Sequence, residues 1–192
     1  MPRPAALALT LVLALPVTGG ALAGCGNSRT PAPALSAPAR VGGFRTLGYP
    51  SAGVTLAAPA AWTAIHGRPP MLVVITSGTA VIALWRYPRQ APLPAGTAAL
   101  QRARRALTAA VASRSPGVEV IGSRAVRLDG RPAIELQALE RIHGLLRRVS
   151  STHVFASGAE VVLEEYAPPS VFANLDGSVF TPVRRSLLIN GS

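Results

Sequence analysis

The sequence contains no lysine, so all 19 of its basic residues are arginine, and only 8 of its residues are acidic. The missing lysine excludes a Ser-x-x-Lys nucleophile, and the Gly-x-Ser-x-Gly motif of serine hydrolases is missing too. A glycine-rich phosphate loop is also absent. The resulting formal charge of +11 favours a negatively charged partner surface. Arginine used alone, with abundant Ala, Gly and Pro, is also typical of a GC-rich coding bias.

Cysteine occurs once, at Cys25, which excludes a disulfide within the chain and any cysteine-based zinc cluster. A domain without disulfides depends on packing for its stability. We therefore expect a continuous hydrophobic core in the region that follows.

The N-terminal segment has the features of a secretory signal. Arg3 supplies one positive charge, residues 5–15 are apolar except for Thr10, and Pro16 interrupts the run before small residues lead to Cys25. An uncleaved membrane helix is the alternative, since no charge occurs between Arg3 and Cys25. Pro16 and the following glycines disfavour it.

Leu22-Ala23-Gly24-Cys25 resembles the lipobox of bacterial lipoproteins at every position. The resemblance implies that the Cys25 thiol takes up a diacylglyceryl group, with acyl chains such as palmitate, and that a signal peptidase cuts after Gly24. Two acyl chains hold a protein stably on a bilayer. We therefore expect residues 1–24 to be a signal peptide and the mature protein to be anchored at the extracytoplasmic face of the cell membrane.

Residues 25–42 are rich in Pro, Ser, Thr and Gly, which predicts a lipidated flexible tether. Residues 43–192 form the predicted domain. Removing Arg3 with the signal leaves +10 in side chains, which favours approach to an anionic leaflet. We expect no nucleic-acid partner, because an exported lipoprotein rarely meets nucleic acid.

Alternating apolar runs and turn residues predict an α+β domain. Strands are predicted at 44–49, 54–57, 71–76, 79–87, 118–128, 132–142, 145–156, 159–167 and 186–189, with a helix over 97–113. Asp129-Gly130, His143-Gly144 and Ser157-Gly158 are short hairpin turns that predict a four-stranded antiparallel meander. A helical segment follows Pro168, and Asp176-Gly177 and Pro182 are expected to divide or bend it.

This order of elements, with Pro59-Ala60-Ala61-Trp62 after an early strand and Arg185-Ser186-Leu187 near the end, resembles the PsbP/Mog1-like fold. The resemblance is to its lipidated actinobacterial members, among them the LpqN-type lipoproteins. It implies a curved antiparallel sheet with helices packed on it and a role in binding. No shared catalytic residues are implied.

The ionisable residues do not suggest a catalytic or metal site. Glu140-x-x-His143 would share a face only on a helix, and the pattern places it on a strand and a turn. His153 is best explained as a half-buried strand residue with a hydrogen-bond partner. We expect no metal, no cofactor and no enzymatic activity. The glutamates of the meander are expected to pair with Arg141, Arg147 or Arg148.

Two groups of residues are candidate binding sites, because aromatic residues and arginine are common interface anchors. They are Trp85-Arg86-Tyr87 and Arg147-Arg148. Packing of Trp85 in the core or at a sheet edge is the competing interpretation. The predicted function is a non-catalytic binding module for a protein or envelope component. The alternative is a carrier of an apolar or lipid-like ligand in a cavity between sheet and helices.

Overall fold

Ten strands and three α-helices occupy residues 37–114 and 116–190, which are the residues that the computed structural model describes. The strands are β1 (Phe44–Tyr49), β2 (Val54–Pro59), β3 (Thr63–His66), β4 (Met71–Ser77), β5 (Ala80–Pro88), β6 (Glu119–Leu128), β7 (Arg131–Ile142), β8 (Leu145–Ala156), β9 (Ala159–Ala167) and β10 (Leu188–Ile189). The helices are α1 (Gly96–Ala112), α2 (Pro169–Leu175) and α3 (Thr181–Arg185). None of these helices is both long and apolar enough to span a bilayer.

The strands form two antiparallel sheets, and this confirms the α+β prediction. The larger sheet has the order β3-β4-β5-β9-β8-β7-β6, and the smaller has the order β1-β2-β10. The predicted meander is present as β6 to β9. At its turns Asp129, His143 and Ser157 each have a φ of 50°, and a glycine of positive φ follows each of them. Two successive positive φ angles are typical of the tight hairpin turn that the sequence predicts.

β3 and the separation of the strands into two sheets were not predicted from the sequence. β3 is a four-residue edge strand whose side chains are mostly exposed, so its sequence lacks the apolar alternation of a half-buried strand. β10 is only two residues long and pairs with β2. Its partner is fixed by contacts between distant parts of the chain, which local patterns do not contain.

One face of the seven-stranded sheet, here called the inner face, packs against the smaller sheet and against residues 169–185. The buried core at this interface includes Leu56, Trp62, Ile75, Leu84, Val161, Leu163, Phe172, Phe180 and Val183. Side chains alternate along each strand, so every second residue of β5, β8 and β9 enters this core. The core is continuous, as expected for a domain without disulfides.

The helical residues 169–185 contain a π-helical segment, Asp176–Phe180, between α2 and α3. The backbone at Asp176 and Thr181 keeps right-handed helical angles, so the helix is locally widened where a division or bend was expected. Pro182 has no N–H to donate to the preceding turn. The π-helical segment ends just before this proline, so the pattern of backbone hydrogen bonds changes where the proline would have left one bond unmade.

α1 packs on the opposite, outer face of the seven-stranded sheet, over β6 and β7. Val111 is buried there with Leu136 and Ala138, and Leu107 packs beside them. Arg104 lies at the edge of this contact and donates hydrogen bonds to Ser123. Because α1 contacts β6 and β7, the outer face of β5, β9 and β8 borders a groove beside the helix.

A buried ionic cluster joins the C-terminal helix to the inner face. Glu165 is fully buried, and its Oε2 lies 3.5 Å from Nε of Arg184. Arg184 also donates to Asp176 at 2.7 Å and to the Ser150 hydroxyl at 3.2 Å. Burial raises the pKa of Glu165 well above its ordinary value, although the nearby Arg184 charge lowers it.

Candidate functional site

The groove on the outer face has a volume of about 440 Å³, within the range of ligand-binding clefts. β5, β9 and β8 form its floor, and α1 with the loop that follows it forms one side. Its lining side chains are Trp85, Tyr87, Arg89, Leu107, Arg114, Ser151, His153, Glu160, Val162 and Glu164. We call it the outer-face groove. It combines an aromatic and aliphatic lining with convergent polar groups.

Three side chains on the groove floor form a hydrogen-bonded chain. His153 Nδ1 lies 2.6 Å from Glu160 Oε1, and His153 Nε2 lies 3.3 Å from the Ser151 hydroxyl. Glu160 accepts a second bond, from Arg89. A carboxylate beside Nδ1 assigns the imidazole proton to that nitrogen, so Nε2 is left to accept the hydroxyl proton of Ser151.

Burial and positive charge keep the imidazole of His153 neutral. Burial, with smaller contributions from the charges of Arg114 and Arg89, lowers its pKa from 6.5 to about 4. Glu164 shows the opposite response, since burial raises its pKa, with Arg114 lowering it and Glu140 raising it. The groove is therefore an environment in which ionised side chains are poorly solvated, and its polar groups depend on partners.

The two aromatic residues of the lining come from β5, where Trp85 and Tyr87 are two residues apart and share the outer face. Trp85 is paired in register with Val162 and Tyr87 with Glu160. Tyr87 is 38% exposed and Trp85 is half-buried. An accessible tyrosine next to a half-buried tryptophan presents an apolar surface with a polar edge, which suits contact with a ligand or a partner.

Two half-exposed arginines flank the groove, and each is paired with a buried glutamate. Arg89 pairs with Glu160, and Arg114 Nη1 lies 3.6 Å from Glu140 Oε2. Their side chains are 52% and 55% exposed. Because each cation has one partner and an open side, each can still donate hydrogen bonds to an incoming carboxylate, hydroxyl or carbonyl group.

The hydrogen bonds from Ser151 through His153 to Glu160 have the connectivity of a serine hydrolase triad, in which the histidine takes the proton of the serine. A general base works best with a pKa near the working pH. At a pKa of about 4, His153 is a weak base at neutral pH. Ser151 is also 94% shielded from solvent, with an exposed fraction of 6%. These features favour a fixed hydrogen-bonding floor over a nucleophile.

The structure separates the sequence-predicted binding residues between the two faces. Trp85 and Tyr87 line the outer-face groove, whereas Arg86 points the other way and donates to the Ser157 carbonyl at 3.3 Å. Arg147 is a buried residue paired in register with Glu140. Arg148 lies on the inner face, where its guanidinium carbon is 5.1 Å from the centre of the Phe172 ring, and it donates a hydrogen bond to the Gln137 side chain at 2.8 Å.

The predicted lipobox lies outside the described residues. It consists of Leu22, Ala23, Gly24 and Cys25.

No polar pocket was predicted from the sequence, but the structure brings Ser151, His153 and Glu160 together in one. His153 and Glu160 lie on neighbouring strands that are joined by a two-residue turn, and Phe155 faces Glu160 in register. The turn fixes this register, so alternation along β8 and β9 places all three residues on the outer face. Applying that register to the sequence would have revealed the cluster.

The glutamates of the meander do pair with arginines, but the partners differ from those expected. Glu135 pairs with Arg124 of β6, Glu140 with Arg114, and Glu160 with Arg89. Arg148, one of the expected partners, lies on the inner face, where it contacts Gln137 and Phe172.

Among residues 37–114 and 116–190, no group of three or more His, Cys, Asp or Glu side chains could hold a metal ion.

The sequence matches no protein-family model and no curated protein. Its likeness to known proteins is structural. Cyanobacterial PsbP (CyanoP) from Synechocystis sp. PCC 6803 superposes with a TM-score of 0.59 at 16% identity, over 89% of this chain and 100% of that one. LpqN of Mycobacterium tuberculosis, a protein involved in cell envelope biogenesis, gives 0.53 at 16% identity, over 71% and 83% of the two chains.

A Pseudomonas aeruginosa protein of unknown function gives a TM-score of 0.50 at 15% identity, over 78% of this chain and 99% of that one. At such identities the likeness establishes the fold and leaves the function open. The chain has a PsbP-like fold, which confirms the fold that the sequence resemblance implied.

Proposed function

We propose that this protein is a lipoprotein of the cell envelope, anchored through Cys25, whose domain is a non-catalytic binding module. The observation that carries the binding role is the outer-face groove, where Trp85 and Tyr87 lie beside Arg89 and Arg114 over a hydrogen-bonded floor. Such a surface suits a protein segment or envelope component that presents an apolar group with adjacent hydrogen-bonding groups. Its neighbour LpqN, involved in cell envelope biogenesis, supports the envelope setting.

The alternative, a carrier with a cavity between sheet and helices, receives less support. Leu163, Phe172 and Phe180 are fully buried at that interface and fill it with side chains. An apolar ligand would have to displace part of this core. Native mass spectrometry of the full chain would detect a co-purifying ligand, and we expect none that survives removal of detergent.

The test of the binding role is site-specific photo-crosslinking in the native envelope. Replacing Tyr87 by a photo-reactive phenylalanine analogue places the crosslinker in the groove, and we expect one discrete adduct that mass spectrometry can identify. Leu188 is the matched control, because it is 46% exposed and lies on β10, outside the groove. Equal or absent adducts at positions 87 and 188 would contradict the proposal.

The anchor is tested by Cys25→Ser. Lipidation needs the thiol, so the variant should be released into the medium or remain as the unprocessed, heavier precursor. Fractionation followed by mass determination separates these outcomes from normal processing. A Cys25→Ser protein that stays on the membrane at its mature mass would show that the anchor lies elsewhere.

A further inference from the structure

The β7–β8 hairpin extends beyond both strands that flank it. The β6–β7 pairing begins at Glu119 with Leu139, and the β8–β9 pairing ends at Arg148 with Ala167. β7 and β8 continue to pair with each other for three more positions, to Ile142 with Leu145. Residues 140–147 therefore form a two-stranded projection, which we call the β7–β8 tip.

The tip exposes apolar side chains that its own fold leaves uncovered. Leu145 is 56% exposed and Leu146 is 45% exposed. As successive strand residues they point to opposite faces of the hairpin. A flat protein surface would cover only one of those faces, whereas a fluid bilayer can surround both. Ile121, on the bulged start of β6, adds a third apolar side chain that is 45% exposed.

The exposed charge within residues 140–147 is positive, and the exposed Glu119 lies at the base of the tip, opposite Leu139. Arg141 is exposed, and its guanidinium donates to the Gly144 carbonyl at 3.1 Å, so it stays close to the turn. The acidic residue of the tip, Glu140, is buried and paired with Arg114. Exposed leucines next to an arginine are the combination by which protein surfaces enter the headgroup region of an anionic membrane.

The chain enters the domain at the same end of the sheet as the tip. The backbone N–H of Ala39 donates to the Ser77 hydroxyl at 2.6 Å, and Ser77 ends β4 at the turn into β5. Val81 pairs with Tyr166, so this turn lies at the end of β9 where Ala167 pairs with Arg148. About three strand spacings, roughly 14 Å, separate β4 from β8. The first described residues of the chain therefore lie at the end of the sheet from which the tip projects.

We propose that the β7–β8 tip contacts an anionic phospholipid bilayer, with Leu145 and Leu146 in the headgroup region and Arg141 beside lipid phosphates. The inference rests on the proposed anchoring at Cys25, which holds this end of the domain near the membrane. The contact orients the domain. The turns at Asp129-Gly130 and Ser157-Gly158, at the opposite end of the sheet, then face away from the bilayer.

The test measures depth in the bilayer by spin labelling of the full chain. Leu146→Cys and Leu188→Cys are labelled with a nitroxide after reconstitution in vesicles of phosphatidylglycerol and phosphatidylcholine. Leu188 is the matched control, since it is 46% exposed and its neighbour Ile189 contacts Arg131 at the opposite end of the sheet. Oxygen concentrates in lipid, whereas a water-soluble nickel chelate stays outside it. We expect oxygen to relax the label at 146 more strongly than the nickel chelate does. At 188 we expect the nickel chelate to relax the label more strongly than oxygen.

Equal accessibility of both labels to the nickel chelate would overturn the proposal. The proposal would also be overturned if the label at 146 were protected from the nickel chelate in native membranes but not in vesicles that contain no other protein. The partner of the tip would then be a protein. Vesicles of phosphatidylcholine alone should return the label at 146 to water. If its depth is unchanged there, the role given to Arg141 is wrong.

The anchor and the tip are tested separately. Lipidation blocks Cys25, so each variant should carry one nitroxide, and a second one on the mature chain would show that the anchor is wrong. Repeating the measurement in a Cys25→Ser background leaves a single label at 146. A label that still enters anionic vesicles there supports the tip alone, and one that stays in water in both backgrounds overturns it.

Discussion

β9 places two glutamates in buried positions on opposite faces of the same sheet, and they are held in different ways. Glu165 enters the inner face, is fully buried, and has the buried Arg184 as its ionic partner. Glu160 enters the outer face and bonds to His153 and to the half-exposed Arg89. The inner pair is sealed under the C-terminal helix, whereas the outer pair borders an open groove. The inner face therefore contributes mainly to stability, and the outer face is left available for binding.

The largest difference is expected when each arginine is removed. Arg184→Met leaves Glu165 without its ionic partner in a sealed core, and such losses cost about 3–5 kcal/mol of the free energy of unfolding. Arg89→Met removes a half-exposed partner, and water can replace it at the groove, so we expect a loss of about 1 kcal/mol or less. Urea denaturation of the two variants measures both values.

A second substitution checks the cause. Adding Glu165→Gln to Arg184→Met removes the unpartnered carboxyl group and should recover most of the lost stability. If the double variant is as unstable as Arg184→Met alone, the cost arises from the loss of the hydrogen bonds that Arg184 donates to Asp176 and Ser150. Equal losses for Arg184→Met and Arg89→Met would remove the distinction between the two faces.

The two faces are also expected to respond to pH in opposite directions. The folded pKa of His153 lies at about 4, below its ordinary 6.5, so the unfolded chain binds more protons between these values. Stability from this group should therefore rise as the pH rises from 4 to 6.5, by about 3 kcal/mol in total. Burial raises the pKa of Glu165 above 4.5, so the folded chain holds its proton longer and stability falls as the pH rises above 4.5.

Denaturation as a function of pH separates the two contributions. His153→Asn should lose the rise with pH that the parent protein gains below pH 6.5. Glu165→Gln should lose the fall above pH 4.5. A His153→Asn curve parallel to that of the parent would mean that the imidazole has the same pKa in the folded and unfolded chains, which would contradict its burial as a neutral group in the groove.

The sequence was sufficient for most of the fold because the relevant information is local. Gly130, Gly144 and Gly158 end three two-residue turns, and the alternation between those turns sets both the strands and their order in the meander. The helix predicted over 97–113 is likewise present, as α1 (Gly96–Ala112). The parts that were not predicted were β3, a short and mostly exposed edge strand, and the pairing of β10 with β2, which joins residues far apart along the chain.

The candidate site was less predictable, because it depends on register and on which strands remain uncovered. Trp85 and Tyr87 were recognised as candidates by residue type alone, and Arg86 came with them although it lies on the other face. His153 and Glu160 were treated as separate strand residues. Their contact is diagonal across β8 and β9, so finding it requires the pairing of Phe155 with Glu160 to be worked out first.

The smallest expected difference concerns two adjacent serines of β8 that lie on opposite faces. Ser150 is fully buried and accepts a hydrogen bond from the Arg184 guanidinium at 3.2 Å, so Ser150→Ala should cost about 1.5–3 kcal/mol, as for bonds to charged groups. Ser151 donates to the neutral His153 at 3.3 Å beside an open groove, so Ser151→Ala should cost about 0.5–1.5 kcal/mol. Both substitutions remove one oxygen from the same strand, so strand propensity and side-chain volume cancel in the comparison. Urea denaturation of the pair measures the difference, and a larger loss for Ser151→Ala would place the more constrained polar network on the outer face.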